Sequence, residues 1–404
     1  MKTAITFTSL ALACALAQAS GGTHWEFEHL HSFNPARGDG SAPLAGLVEA
    51  GGAFWGTTSV GGSGRGASGT VFKFVPGGLP VVMHTFRGGD GATPRGELLV
   101  VGRTLYGTVE NGMLNNDGGI YRISTLGSFK VMHKLTEEEG TNPTAGLMRH
   151  WNGNFYGTTA RGGTENTNQG TVFQMTPAGV VTVLFSDFEG WSAAAKGPLV
   201  QHVDGSLYGT TSTEGMQGGG SVYRITTAGT YELKYSFKPG FFEEGDPLGC
   251  QPLAGLTPIA SGNLAGVAPG CGGEHGGTVF KVSVGGGVSL AHDMVPGVDG
   301  IHPEGALVLH KDGVLWGTTR YWDVPFITYE GCGTVFALSK TNKLGVHHAF
   351  AEDGSEGCEP RGALLSAKDG AIYGTTSRGG AFDAGTIFRL RRVSTPPGSD
   401  AFSR

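Results

Sequence analysis

Trp316-Gly317-Thr318-Thr319, followed closely by Gly333-Thr334-Val335-Phe336, is the stretch that decides the fold of this chain. The first word, an aromatic residue with Gly and Thr, recurs at Trp55–Thr58, Tyr106–Thr108, Tyr156–Thr159, Tyr208–Thr211 and Tyr373–Thr376, with a degraded copy at Ala265–Val267. The second word recurs at Gly69–Phe72, Gly119–Tyr121, Gly170–Phe173, Gly220–Tyr223, Gly277–Phe280 and Gly385–Phe388. Such β-branched and aromatic runs bounded by Gly predict short strands.

A third word and a turn complete each unit of the repeat. The word is His-x-Phe or a relative, and it stands at His31–Phe33, His84–Phe86, His133–Leu135, Phe185–Phe188, Tyr235–Phe237, His292–Met294 and His348–Phe350. An acidic-Gly turn and then Pro follow it, as in Asp39-Gly40 with Pro43, and an apolar segment such as Ala45–Val48 comes next. Each unit of about 50 residues therefore holds four predicted strands, each about five or six residues long.

Four short strands per unit form one blade of a β-propeller. A sheet of this size cannot bury both of its faces, so the blades must stack on one another. The seventh unit ends at Gly385–Leu390 without its His-x-Phe strand, and the chain begins with an orphan copy at Phe27–Phe33. The sequence thus predicts an all-β, seven-bladed propeller of four-stranded blades, in which an N-terminal strand completes the last blade and removes its free edge.

The composition and charge restrict the class of partner. Gly accounts for 73 of the 404 residues, yet hydrophobic residues still make up 39%, which is enough for a packed core. The formal net charge is −6 and the sequence has no basic stripe, which argues against a nucleic-acid partner. We expect no membrane span, because the N-terminal apolar run is too short for one. We also expect a monomer.

The N-terminus is typical of a secretory signal peptide. Lys2, the apolar run Ala4–Leu16 and the small-x-small site Ala17-Gln18-Ala19 fit this pattern. Cleavage before Cys14, which would give a lipid-anchored protein, is the alternative. We expect a secreted, extracellular protein, with a periplasmic or surface-associated location as the alternative. The predicted segments are a signal peptide over residues 1–19, a single propeller domain over residues 20–392 and a polar tail over residues 393–404.

Together, these words resemble a known family. The Tyr-Gly-Thr-Thr, Gly-Gly, Gly-Thr-Val-Phe and His-Ser-Phe words are similar to those of the choice-of-anchor tandem-repeat GloVer family of bacterial exported proteins, over roughly residues 27–390. The resemblance implies a propeller-like fold, in agreement with the strand pattern, and implies little about biochemical role. Family members often carry a C-terminal anchor, whereas the polar tail here predicts a released protein.

Departures from the repeat are the positions where function is expected, because the repeat sets the other residues. In a propeller, the loop between the second and third strands lies on the same face as the loop that leads to the next blade. Unit 6 replaces the first of these loops with an aromatic and charged segment that suits sugar rings and acidic groups. A loop that packs its own aromatics against the rim is the alternative. The predicted ligand-binding residues are Trp322, Asp323, Phe326, Glu330 and, from unit 5, Glu274.

Unit 5 departs in a second way, since Ala265, Val267 and Ala268 replace the aromatic residue and both Thr. These small side chains could open a pocket beside the unit 6 loop, and simple decay of the repeat is the alternative. The repeated His residues have a predicted architectural role. Histidines outside the repeat position are better catalytic candidates, namely His202, His275 and His302.

Four cysteines remain after removal of the signal peptide, and four cysteines allow three pairings. Cys250 and Cys358 precede a Pro in inter-blade loops, while Cys271 and Cys332 lie in loops between second and third strands. All four therefore lie on the predicted site face, and we predict the disulfides Cys250–Cys271 and Cys332–Cys358. Cys271 and His275 are too few ligands for a metal site. We expect no metal and no cofactor, with calcium at the acidic-Gly turns as the alternative.

Two kinds of function fit these residues, and the sequence does not decide whether the protein is an enzyme. The first is a secreted protein that recognises an extracellular polysaccharide or cell-surface glycan at the loop face of units 5 and 6. The second is an enzyme on that face, with a lyase for uronate-containing polymers favoured over a glycoside hydrolase. A lyase would use Arg320 to neutralise the carboxylate, His275 as base, and Tyr321 or Tyr329 as acid. A hydrolase would use carboxylates among Asp323, Glu330 and Glu274. A structural or adhesion disc is the third alternative.

Overall fold

Seven four-stranded antiparallel sheets make up the molecule. The computed structural model describes residues 23–163, 168–186, 188, 197–213, 218–239, 246–323 and 331–394. In six sheets the four strands follow one another in chain order, so that hairpins join them. The predicted seven-bladed propeller is confirmed. Over these ranges no helix is long and apolar enough to cross a membrane.

The strands of each blade occupy the same four places, from the axis to the rim. The innermost strands are β2 (Val48–Ala50), β6 (Leu99–Val101), β10 (Met148–Arg149), β14 (Val200–Gln201), β18 (Thr257–Pro258), β22 (Val308–Leu309) and β26 (Leu365–Ser366). The second strands are β3 (Ala53–Thr58), β7 (Thr104–Val109), β11 (Phe155–Thr158), β15 (Leu207–Thr211), β19 (Leu264–Ala268), β23 (Leu315–Thr319) and β27 (Ile372–Thr376). The third strands are β4 (Thr70–Phe74), β8 (Gly119–Ser124), β12 (Val172–Met175), β16 (Ser221–Ile225), β20 (Thr278–Val282), β24 (Thr334–Leu338) and β28 (Thr386–Ser394). The outermost strands are β5 (Val81–Thr85), β9 (Phe129–Lys134), β13 (Val181–Phe185), β17 (Tyr231–Ser236), β21 (Val288–Asp293), β25 (Leu344–Ala349) and β1 (Thr23–Ser32).

The N-terminal strand closes the ring as predicted. β1 is the outermost strand of the seventh blade, in the order β1-β28-β27-β26. It pairs antiparallel with β28, from Thr23 opposite Ser394 to Ser32 opposite Thr386. This pairing ties the two ends of the described chain together, and it extends β28 two residues beyond residue 392. Within the described ranges, the regular structure also includes two short 3-10 turns, Pro35–Arg37 and Ala260–Gly262.

The innermost strands have two or three residues, fewer than the five or six predicted from the repeat. In the apolar segment before each of them, backbone carbonyl groups accept hydrogen bonds from the neighbouring blade instead of pairing with the next strand of the same sheet. The first Thr of the aromatic-Gly-Thr-Thr word donates to such a carbonyl of the next blade, as Thr108 does to Ala145 (2.8 Å) and Thr375 to Ala45 (3.0 Å). The Thr of the repeat therefore joins neighbouring blades near the axis.

The Gly of the aromatic-Gly-Thr-Thr word is required by packing. A Cβ atom at Gly317 would lie 2.5 Å from the Phe336 ring and 2.8 Å from the Leu307 side chain. The equivalent Gly residues of the other six blades meet the same obstruction from a Phe or Tyr ring of the third strand. Both neighbours are buried core residues that cannot move aside, so a side chain at this position must displace the core.

We expect Gly317→Ala to lower the free energy of unfolding by about 2 to 3 kcal/mol, because its methyl group overlaps the Phe336 ring. Gly345→Ala is the matched control in the same blade, since a Cβ atom there meets nothing within 4 Å. Denaturant unfolding of both variants measures the difference. Equal stabilities of the two variants would contradict this account of the repeat.

The repeated His residues pair with the carboxylates of the acidic-Gly turns. The Nε2 atom of His84 lies 2.9 Å from Asp90, and that of His133 lies 2.8 Å from Glu139. The same carboxylates accept backbone N–H groups, as Asp90 does from Arg87 at 2.8 Å. The turns therefore use their carboxylates to fix the outermost strand. No cluster of three or more His, Cys, Asp or Glu suited to a metal occurs among the described residues.

Burial lowers the pKa of His84 and of His348 below the ordinary value of 6.5, although Asp90 and Glu356 act in the opposite direction. Below about pH 6.5 the unfolded chain therefore binds protons that the folded chain does not. The free energy of unfolding consequently decreases as the pH is lowered. We expect the melting temperature to be lower at pH 5 than at pH 7, by no more than a few degrees. The drop should shrink in His84→Asn/His348→Asn, and an unchanged drop would show that other groups cause it.

Candidate functional site

The two kinds of loop predicted to share a face lie side by side in the structure. Single antiparallel bridges join the inter-blade loop to the loop after the second strand in six blades, namely Ser41–Val60, Ala92–Asn111, Thr141–Arg161, Cys250–Gly270, Ile301–Tyr321 and Cys358–Arg378. Two disulfides reinforce this arrangement, Cys250–Cys271 and Cys332–Cys358, and this is the predicted pairing. Both kinds of loop border the same opening at the axis of the disc.

This opening is an axial funnel with a volume of about 730 Å³. Its charged wall residues are Arg95, Glu110, Arg161, Glu304, Arg320 and Arg361. Arginines outnumber glutamates in this set, although the formal net charge of the whole chain is −6. The funnel therefore concentrates positive charge at the axis.

The residue after the inter-blade Pro is the main source of the funnel wall. It follows Pro43, Pro94, Pro143, Pro252, Pro303 and Pro360, and it is Leu44, Arg95, Thr144, Leu253, Glu304 and Arg361 in turn. The corresponding position of blade 4 lies outside the described residues. The repeat thus fixes where this side chain points but not its chemical type, and so the funnel can be varied without changing the fold.

The residue before each of these Pro residues has a left-handed backbone. The φ angles lie between 53° and 58° at Ala42, Thr93, Asn142, Gln251, His302 and Glu359. This region is strained for residues other than Gly. Hydrogen bonds to both flanking blades hold it: the His302 N–H donates to Gly276 at 2.9 Å, and its carbonyl accepts from Arg320 at 3.0 Å. The turn places the residue after the Pro at the funnel, and in blade 3 it also places Asn142 there.

A network of arginines and glutamates occupies the funnel wall of blades 6 and 7. Arg320 lies 3.0 Å from Glu304 and 2.9 Å from Glu359, and Arg361 lies 2.9 Å from Glu359 and 3.7 Å from Glu304. Burial alone would raise the pKa of Glu359, but Arg320 and Arg361 lower it. Glu359 is therefore ionised, and together with Glu304 it holds the guanidinium groups in place beside the funnel.

The opposite wall, from blades 2 and 3, is more open. Arg95 pairs with Glu110 at 2.8 Å, and Asn142 donates to the side chain of Asn111 at 3.2 Å. Arg161 is exposed, and no carboxylate of the described residues lies within ion-pair distance of it. A polar groove of about 470 Å³ continues outward from Asn142 and Arg161 between these blades. Hydrogen-bonding side chains thus extend from the axis toward the rim.

His302 and Tyr321 lie at the edge of the network. Their ring centroids are 6.0 Å apart, and the Arg320 guanidinium lies 4.6 Å from the centre of the Tyr321 ring. Burial lowers the pKa of His302, with Glu304 acting against this and Arg320 in its favour. His302 is therefore a neutral imidazole at neutral pH, beside a Tyr and an Arg.

The structure places the other predicted site residues at different distances from the funnel. Arg320 lines it and Tyr321 adjoins it. The Trp322 carbonyl accepts the Gly297 N–H at 3.1 Å, so Trp322 and Asp323 lie farther out, against the turn after β21. Glu274 and His275 are exposed in the blade 5 loop and do not line the funnel. Three predicted residues lie outside the described ranges: Phe326, Tyr329 and Glu330.

One acidic residue below the funnel was not predicted from the sequence as a site residue. Glu97 lies in a narrow cavity of about 120 Å³ beneath the funnel, where the inner segments of the blades converge. Burial raises the pKa of Glu97 to about 7. The signal was present in the repeat, because the aligned positions of the other six blades hold Gly, Ala or Pro.

Comparisons with known proteins agree with the fold. The family model described as the Gloeobacter/Verrucomicrobia repeat matches residues 18–202 and 194–396. No curated protein matches the sequence significantly. A putative 6-phosphogluconolactonase from Bacteroides uniformis is 13% identical, with a TM-score of 0.51, over 82% of this chain and 96% of that chain. The periplasmic gluconolactonase of Pseudomonas aeruginosa is 18% identical, with a TM-score of 0.49, over 82% of this chain and 97% of that chain. At these identities the likeness concerns the fold alone.

Proposed function

We propose that this chain, which belongs to the Gloeobacter/Verrucomicrobia repeat family, binds an extracellular, uronate-bearing polysaccharide or glycan in its axial funnel. The observation that carries the proposal is the convergence of Arg95, Arg161, Arg320 and Arg361 on one opening. A guanidinium group offers several N–H donors in a planar fork that matches a carboxylate.

The ion pairs within the funnel support a binding role over a purely structural one. Glu304 and Glu359 each contact both Arg320 and Arg361, so the two guanidinium groups are held in position before any ligand arrives. Holding polar side chains in advance reduces the entropy lost on binding. Arg320 and Arg361 remain about a quarter exposed, with side-chain exposures of 23% and 29%. Each therefore keeps donors available to a ligand.

The surroundings of the funnel suit a polymer. Asn111, Asn142 and Arg161 supply amide and guanidinium donors on the side of blades 2 and 3. On the other side the loop runs from Arg320 outward to Trp322, a residue type that can stack on a sugar ring. The two disulfides support an export role, because disulfides persist in oxidising compartments.

Binding to matched polymers tests the proposal. The full chain is titrated with oligomers of galacturonic acid and with equally long oligomers of galactose, in low and in physiological salt. We expect saturable binding of the uronate oligomer alone, with weaker binding at higher salt because screening reduces charge attraction. Equal affinity for the neutral oligomer, or the absence of binding to both, would reject an anionic ligand.

A lyase activity is the second candidate, and the neighbourhood of His302 is the observation that favours it. Elimination across a uronate needs a cation at the carboxylate, a base for the C5 proton and an acid for the leaving oxygen. Arg320, neutral His302 and Tyr321 lie together, whereas exposed His275 is separate from the funnel. Incubation with the uronate oligomer should then produce shorter chains with new ultraviolet absorbance. Intact chains after prolonged incubation would reject the lyase activity and leave binding as the remaining candidate function.

A further inference from the structure

The throat of the funnel is a ring with one residue from each blade. Its members are Gly46, Glu97, Gly146, Pro198, Gly255, Ala306 and Ala363. The other six members are Gly, Ala or Pro, and none of these residue types can ionise. Glu97 is therefore the only ionisable member of this ring, and it lines the throat.

The throat and the funnel form one continuous space. Six residues line both cavities: Leu44, Arg95, Thr144, Leu253, Glu304 and Arg361. The charged groups that face the throat are thus Arg95 from the same blade, Glu304 from blade 6 and Arg361 from blade 7. Arg95 is engaged by Glu110, and Arg361 by Glu304 and Glu359. No ion pair links Glu97 to another residue in the described part of the chain.

The chemical state of Glu97 follows from this position. The walls of the throat desolvate the Glu97 carboxyl group and no ion pair among the described residues offsets this, so burial raises the pKa of Glu97 to about 7. Below neutral pH the group is therefore mainly a carboxylic acid with an O–H donor. A hydrogen bond from such a donor to a carboxylate is short and strong.

We propose that Glu97, as a neutral acid, donates a hydrogen bond to the terminal carboxylate of a glycan whose chain end enters the funnel along the axis. This inference rests on the proposed function and adds to it that the ligand is recognised at its end. The throat accepts a chain end because it narrows to the ring of seven residues. Ionisation of Glu97 replaces the donor with a negative charge that repels the ligand.

Affinity as a function of pH tests this role. The probe is a trimer of galacturonic acid, whose carboxylates stay ionised above pH 6, titrated against the full chain between pH 6.0 and 8.5. We expect the affinity of the natural chain to fall by about tenfold per pH unit above pH 7. Glu97→Gln keeps a neutral N–H donor and should bind with an affinity that does not change over this range. Glu26→Gln, at an exposed pair with Arg391 on the rim, should keep the pH dependence of the natural chain.

The outcomes separate the two proposals. Binding by the natural chain that is independent of pH would overturn the role of Glu97 and leave the funnel site standing. If Glu97→Gln retains the full pH dependence, the role of Glu97 is also overturned, because another group must then titrate. Failure of the natural chain to bind the trimer at any pH would overturn the funnel site itself. Melting curves at each pH confirm that every variant is folded, so that a lost affinity reports on binding.

Discussion

Arg320→Gln/Arg361→Gln is expected to lose at least about 100-fold in affinity for uronate oligomers. Removing a charged, hydrogen-bonded partner from a partly buried site costs about 2 to 5 kcal/mol. Here the loss has two sources, because the ligand loses both guanidinium donors and meets Glu304 and Glu359 without their partners. Titration calorimetry with the trimer of galacturonic acid measures the change.

Two further variants separate these sources. Arg320→Gln/Arg361→Gln with Glu304→Gln/Glu359→Gln removes the network without leaving unpaired carboxylates, and it should still bind at least about 30-fold more weakly than the natural chain. Arg103→Gln, in the exposed hairpin between β6 and β7, is the control for the loss of a surface charge. Natural affinity in the fourfold variant would show that the arginines do not contact the ligand.

The second large effect is expected from the disulfides. Replacing all four cysteines by Ser should lower the free energy of unfolding by about 5 to 6 kcal/mol, since each bridge closes a loop and restricts the unfolded chain by about 3 kcal/mol. The sequence separations are 21 and 26 residues. This loss is a large share of the stability of an ordinary protein.

The local structure at each bridge should survive, which makes the prediction specific. In the natural chain the Cys250 N–H donates to Gly270 at 2.8 Å, and the Cys358 N–H donates to Arg378 at 2.8 Å. These backbone hydrogen bonds do not need the sulfur atoms, so they should persist in the variant. Denaturant unfolding with and without reductant provides the measurement: the natural chain should lose stability on reduction, and the four-Ser variant should not respond. Unchanged stability of the natural chain in reductant would contradict a stabilising role of the bridges.

The sequence by itself determined the architecture of the disc. Seven copies of Gly-Thr-Val-Phe and its relatives set the number of blades, and the orphan strand before Phe33 set how the ring closes, because a repeat unit cannot bury its faces alone. The disulfide pairing was also within reach, since each pair joins the two loops that share a face. These features depend on local pattern and on the spacing of the repeat.

Only the tertiary structure decided the site. Arg95, Arg161, Glu304 and Arg361 come from blades far apart in the sequence, and they meet because the ring closes around an axis. The left-handed residues before the Pro residues then turn Arg95, Glu304 and Arg361 inward, and the residue types at Thr93 and His302 do not predict this backbone conformation. The sequence pattern predicted a site in loops that were unusual in length and aromatic content. Glu97 also departs from the repeat, but its carboxyl group became significant only because the ring of small residues closed around it and burial raised its pKa.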